Sequence, residues 1–378
     1  MAGETRTMNF DFADDLKQLR DQARRFLAQH CPTTAVRRIL EGADPYDRGL
    51  WQAVAAMGWT GAAIPEAYGG AGLGHLGLCV LAEELGAALA PIPFSSSVYL
   101  ASEAIIAGGS PAQKQAWLPR LAAGEAIGTL ALAEGPGRAD VRTLRTTFRG
   151  GVLTGDKLPV ADGDVADVAI VVAQGERGPE LVLVDLRAAG VARAPIDTID
   201  PSRSHARISF AGAPAEALAA CDTGQALLRR VLDRAAVLFA FEQVGGAQRS
   251  LEMARDYALQ RYAFGRPIGS FQAIKHKLAD VYVATELARS NAYYGAWALA
   301  RDAAELPLAA ATARVSANEA FFLAAKENIQ VHGGMGFTWA FDCHLYYRRA
   351  KLLALALGST RHWKERLVTQ LEAANAPM

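Results

Sequence analysis

The sequence predicts a mostly helical α+β chain: a helical N-terminal domain over residues 1–126, a small β-barrel or sandwich over 127–222, and a C-terminal four-helix bundle over 223–378. Three observations carry this. Apolar residues recur at helical spacing from Asp11 to about Gly124. Short Val- and Leu-rich runs separated by Gly and Asp follow from near Gly128. Long windows rich in Ala and Leu return from about Thr223.

In the first part, Phe12, Leu16, Leu19 and Phe26 form one apolar stripe, and Trp51, Val54 and Met57 begin another. The glycine-rich stretch from Gly58 to Gly70 reads as a loop between helices. Leu78 to Leu89 and Tyr99 to Ala107 continue the helical pattern, and Pro111 is placed to open a further helix at its first position. In the middle part, Thr129–Ala133, Gly151–Lys157, Val168–Ala173, Leu181–Asp185 and Ala206–Phe210 read as strands. In the last part a long helix runs from Leu232, with Gly245, Gly246 and Ala247 where another backbone can approach closely. Glu286–Ala303, Leu306–Val331 and Arg348–Ala374 are the further helical windows.

Composition narrows the function classes. The chain of 378 residues is 51% hydrophobic, enough to bury a large core. Its 39 Lys and Arg balance its 39 Asp and Glu, which argues against a charge-driven nucleic-acid or membrane-surface role. Phosphate binding must therefore come from local clusters. Cys31, Cys79, Cys221 and Cys343 are scattered without metal-ligand spacing and read as reduced thiols of a cytoplasmic protein. The polar, acidic start MAGETRTMNFDFADDLK has no apolar run of a signal peptide, and no stretch reaches the ~20 apolar residues of a spanning helix. No metal site is expected; His332 stands alone beside glycines.

Two stretches carry chemistry. Arg261-Tyr262-Ala263-Phe264-Gly265-Arg266-Pro267 breaks a helix and clusters two arginines with two aromatics. Guanidinium suits phosphate, an aromatic face suits a flat ring, and glycine permits close approach. Gln330-Val331-His332-Gly333-Gly334-Met335-Gly336-Phe337 strips side chains from a helix end, so that a pyrophosphate can lie against backbone N–H groups.

These stretches, together with the fragments IPEAYGG and EELG, resemble the acyl-CoA dehydrogenase family, and the resemblance covers essentially the whole chain. It implies an FAD-dependent flavoprotein converting an acyl-CoA to its 2-enoyl-CoA, with electron-transfer flavoprotein as acceptor. It implies a homo- or hetero-oligomer arranged as a dimer of dimers. Arg261, Phe264, Gln272, Gln330, Gly333 and Gly334 would contact FAD across a dimer interface, reaching the flavin of the neighbouring subunit.

The chain departs from the family elsewhere. Where members carry a loop with hydroxyls for flavin and substrate, this chain has Ala133-Glu134-Gly135-Pro136-Gly137-Arg138-Ala139-Asp140: the acids are kept and both hydroxyl positions are alanine. The aromatic and threonine expected against the flavin are Pro159 and Ala161, which can neither stack like an indole nor donate a side-chain hydrogen bond. The two positions of the family's carboxylate base hold Leu357 and Ala235, with Ala236 where an arginine often follows. Glu242 is the nearby acid, on the same helical face as Ala235 but ~10 Å along it. It reads either as a buried, arginine-paired carboxylate or as a relocated base. Arg348, Arg349 and Lys351 are expected on a solvated helix face, with CoA phosphates as an alternative.

Three functions follow: an acyl-CoA dehydrogenase acting in its own right or within a hetero-oligomer; a catalytically degenerate subunit that completes a paralogous partner's FAD site; or a flavin-dependent oxidase or monooxygenase on the same fold. Members acting on bulky acyl-CoAs such as steroid side chains include assemblies of two unlike subunits, and this chain resembles the non-catalytic one.

Overall fold

The computed structural model describes residues 12–137, 139–219 and 223–374. The N-terminal starting segment, Arg138 and Cys221 therefore lie outside the described residues.

The first layer is helical: α1 (Asp14–His30), α2 (Thr33–Glu41), α3 (Arg48–Ala56), α4 (Gly74–Ala87), a π-helical turn Ser95–Ser102 running into α5 (Glu103–Gly108), and α6 (Pro111–Ala122). Local chemistry sets the starts. The Asp47 carboxylate accepts from Leu50 N–H at the head of α3. Ser110 and Gln113 form a reciprocal capping box ahead of α6, with Pro111 at the first position. Helix α4 is buried continuously from Gly77 to Gly86, because it lies between this layer and the C-terminal helices.

The middle is one curled, mixed sheet of β1 (Gly128–Ala131), β2 (Thr147–Arg149), β3 (Val152–Ala161), β4 (Val168–Gly175), β5 (Gly178–Asp185), β6 (Val191–Pro195), β7 (His205–Pro214) and β8 (Glu216–Ala217). The order is β6-β7-β3-β2-β4-β5-β8, with β1 parallel to β4. Strand β4 is buried on both faces from Val168 to Ala173, which explains its unbroken apolar run. Strand β6, on the sheet edge, is exposed over most of its length and ends at Pro195. Strands β2, β6 and β8 carried no apolar signal and were not expected from the sequence.

The C-terminal layer starts with α7 (Gly224–Gln260), 37 residues long, which ends in a small hairpin of β9 (Tyr262–Ala263) and β10 (Arg266–Pro267). Then come α8 (Gln272–Ala300), α9 (Leu306–His332), α10 (Cys343–Leu353) and α11 (Thr360–Ala374). Small residues let these helices close up. A Cβ on Gly245 would sit 1.8 Å from the Glu83 carbonyl oxygen of α4, and one on Gly86 would sit 1.9 Å from that of Glu242. The two backbones touch there, as the Gly245-Gly246-Ala247 run anticipates. The window Arg348–Ala374 is two helices, not one. A turn at Leu355–Gly358, with Gly358 at φ +94°, breaks it and redirects the chain.

Candidate functional site

The hairpin at the end of α7 is closed by Phe264 (φ +52°) and Gly265 (φ +78°), the left-handed pair of a type I′ turn. That turn pushes the Phe264 ring outward until it is 95% exposed. Arg261 is anchored by its backbone, donating to Tyr257 C=O (2.8 Å) and accepting from Ile268 N–H (2.7 Å). Its side chain is exposed and takes no ion pair among the described residues. Arg266 lies 4.1 Å over the Phe271 ring.

Helix α9 delivers the second motif to the same place. Tyr257, Arg261, His332, Gly333, Gly334 and Met335 line a shared cleft of about 410 Å³. Gly333 has φ +60° and ψ −139°, and a Cβ on either Gly333 or Gly334 would meet nothing within 4 Å. The tertiary fold therefore brings Arg261, Gly333 and Gly334 together. Phe264, Gln272 and Gln330 are exposed near by but do not line the cleft. Phe337, 81% exposed, and Tyr262 add apolar surface close to it in sequence. The glycines follow the carboxyl end of α9, where the helix dipole is negative, so charge compensation for a phosphate falls to Arg261 and the glycines supply clearance. These features fit the phosphate-bearing, adenosine end of FAD: open backbone, an unpaired guanidinium and exposed ring faces.

The positions for a base are different. Ala235 is sealed in α7 and Leu357 is buried. Glu242, 3% exposed, pairs with Arg203 (3.3 Å) and lies 3.8 Å from Arg349. Arg203 also donates to Ser95 Oγ, and Arg349 donates to Asp200 (2.6 Å), Ser202 Oγ (3.0 Å) and Leu89 C=O (3.3 Å). Burial would raise the Asp200 carboxyl, but Arg349 and the Ser202 hydroxyl hold it below its ordinary value. The cluster thus ties the N-terminal helices, the β6–β7 connection, α7 and α10 together. The expectation of a solvated Arg349 is overturned: it is buried because Asp200 and Glu242 face it from other elements. Arg348 donates to Ile199 C=O, and Lys351 sits 4.0 Å over the Phe322 ring.

In the β region, Glu134 is occupied. It accepts from Arg145 N–H (2.7 Å), Thr146 N–H (2.9 Å) and the buried Lys157 ammonium (2.8 Å). These partners overcome its desolvation and lower its pKa to about 2. Asp140 caps Arg142 N–H (3.0 Å). Pro159 is exposed and Ala161 half-buried, so neither supplies an aromatic wall or a donor side chain. The flavin-ring end of FAD does not fit this chain's own β region as its adenosine end fits the cleft. Cys31, Cys79 and Cys343 are free and buried, and burial pushes the first and last thiols up to about 12. No metal-binding cluster and no helix long and apolar enough to cross a membrane occurs among the described residues.

Sequence reasoning missed Asp200, Arg203 and Tyr257. Asp200-Pro201-Ser202-Arg203 reads as a polar surface turn, and nothing local marks it as buried. Tyr257 had a usable signal: it precedes Arg261 by one helical turn, so both lie on one face.

Comparison with known proteins agrees with this architecture. Residues 13–125 match the N-terminal domain of acyl-CoA dehydrogenases and residues 222–370 match the C-terminal domain. Acyl-CoA dehydrogenase IpdE2 of Mycobacterium tuberculosis is 36% identical over 95% of this chain and 98% of its own length. Among solved structures, a variant of the Tcur3481-Tcur3483 steroid ACAD is 31% identical with TM-score 0.88, covering 96% of this chain and 99% of that one. The ChsE4-ChsE5 complex from Mycobacterium tuberculosis is 29% identical with TM-score 0.89, covering 98% of this chain and all (100%) of that chain. With its helical, β and helical layers in this order and both terminal regions matched, the chain belongs to the acyl-CoA dehydrogenase family.

Proposed function

We propose that this chain is a subunit of a hetero-oligomeric FAD-dependent acyl-CoA dehydrogenase, in which it completes the flavin site of a paralogous partner. The assembly would oxidise a bulky acyl-CoA, of the steroid side-chain class, to its 2-enoyl-CoA and pass electrons to an electron-transfer flavoprotein. One contrast supports this reading: an open cleft with Arg261, Gly333 and Gly334 in place, beside base positions held by sealed Ala235 and buried Leu357. The relatives support it further, since one is a steroid ACAD named for two components and another is a ChsE4-ChsE5 complex.

FAD, when bound, supplies the acceptor for the hydride lost from the substrate β-carbon. What this chain contributes is binding. The Arg261 guanidinium would neutralise phosphate charge, and Gly333 and Gly334, free of side chains, would let the nucleotide lie against backbone. The carboxylate that removes the α-proton comes from the partner, because Glu242 is committed to Arg203 and reaches no open space.

Co-expression with a paralogous chain that carries the carboxylate missing at Leu357 or Ala235 is the test. The expected result is about one FAD per pair of unlike chains and turnover that neither chain shows alone. Full flavin occupancy and turnover by this chain alone would overturn the proposal.

A further inference from the structure

His332 looks structural in the sequence, yet the fold gives it a free nitrogen beside the cleft. Its ring is stacked on Tyr257 (centroids 4.1 Å apart) and meets the edge of Phe341 at 5.6 Å, so it cannot turn without breaking two aromatic contacts. Nδ1 lies 2.8 Å from the Asn328 carbonyl oxygen. A carbonyl only accepts, so the proton sits on Nδ1, and Nε2 of the neutral ring carries the lone pair. Burial keeps the ring in that neutral form by lowering its pKa. Nε2 takes no hydrogen bond from the protein among the described residues and is not sealed from solvent, although His332 as a whole is only 6% exposed.

The surroundings favour a donor from the ligand over an anion. His332 closes α9, and the carboxyl end of a helix repels phosphate and attracts N–H and O–H groups. Arg261, which favours the anion, stands at the other end of the Tyr257 turn, its N–H bonded to the Tyr257 carbonyl. The cleft is therefore polarised, with a cationic side and an acceptor side.

We propose that His332 Nε2 is a nucleotide-contacting acceptor in this cleft, taking a hydrogen bond from the adenosine part, either the 6-amino group or the ribose 2′-hydroxyl, while Arg261 holds the phosphates. The inference rests on reading the cleft as the adenosine half of the FAD site. Beyond that reading, it assigns the residue that discriminates among nucleotides.

ADP binding to the full purified chain, followed by ligand-detected NMR, tests both levels. Wild type binds ADP, and binds either inosine diphosphate (6-oxo in place of 6-amino) or 2′-deoxy-ADP at least fivefold more weakly; which analogue suffers identifies the donor. His332→Asn keeps a donor towards Asn328 but has nothing at the Nε2 position. It should weaken ADP roughly tenfold, as for one lost hydrogen bond, and abolish the discrimination; because the variant loses the ring contacts with Tyr257 and Phe341 its Tm falls, and binding is read well below that Tm. His332→Gln, which carries an amide out to the Nε2 position, should recover most of the affinity. It also serves as the probe if the asparagine variant does not fold. Equal ADP affinity in wild type and His332→Asn, or no discrimination against either analogue by wild type, overturns the role of His332 and leaves the cleft assignment standing. No ADP binding by wild type overturns both.

Discussion

Gly334→Val separates a glycine kept for a ligand from one kept for packing. At Gly334 an added Cβ has no heavy atom within 4 Å, and the backbone is outside the left-handed region, so valine fits the folded chain. The change in unfolding free energy should stay within about 0.5 kcal/mol, as for an ordinary surface substitution. A nucleotide seated against the backbone would be displaced by the isopropyl group. Losing that close approach should cost about 1.5–3 kcal/mol, or roughly 10- to 100-fold in FAD affinity. Gly245→Ala is the opposite case. Its Cβ would fall 1.8 Å from a backbone oxygen of α4, so the two helices must separate by more than 1 Å. That should destabilise the chain by about 1–3 kcal/mol or more and lower Tm, with flavin lost only as the protein unfolds. The assay is FAD content of the co-purified complex by absorbance, its affinity by flavin fluorescence, and Tm by calorimetry. If Gly334→Val keeps wild-type FAD affinity, no ligand lies against that backbone and the reasoning fails.

Other outcomes follow from the same geometry. Arg261→Ala should weaken FAD about tenfold or more with Tm unchanged, and Arg261→Lys should recover only part of that, since an ammonium lacks the planar fork; flavin retention on gel filtration reads both. Glu242→Gln should destabilise the fold by about 3–5 kcal/mol, because Arg203 and Arg349 lose a buried counter-charge; turnover of the refolded complex should persist, whereas a catalytic Glu242 would give a stable, inactive protein. Burial raises the Asp233 carboxyl to about 6, only partly offset by Arg366 at 2.6 Å. The folded state therefore binds this proton more tightly than the unfolded chain, so the group's contribution falls as pH rises from about 4 to 6. Asp233→Asn should remove that decline and raise stability at pH 7 by up to roughly 3 kcal/mol, measured as Tm across the pH range; an unchanged pH profile would show that Asp233 titrates normally.

Much of this molecule follows from local sequence. Helical spacing in Ala- and Leu-rich windows marks α7, α9 and the second half of α8, because burying one face of a long helix needs only that periodicity; the window Glu286–Ala303 misses the first half of α8, which starts at Gln272. The continuous apolar run at Val168–Ala173 marks the central strand β4, and Ser110-Pro111 marks the start of α6. The short edge strands β6 and β8 were not legible, since edge strands carry little apolar patterning. The break at Gly358 was missed because one glycine does not by itself distinguish a turn from a tolerated helical position.

For the site, the residue types in the two motifs pointed to nucleotide chemistry as an expectation, and it was the family resemblance that set Leu357 and Ala235 where a carboxylate would stand. Only the tertiary structure decided that Arg261, His332, Gly333 and Gly334 line one cleft, and that Arg349 and Glu242 are buried partners. The reason is physical: propensity and periodicity act over a few residues, whereas burial, charge pairing and tautomer are set by groups that meet only after helices tens to hundreds of residues apart have packed. A sequence names the donors and acceptors; the fold determines which of them are already taken.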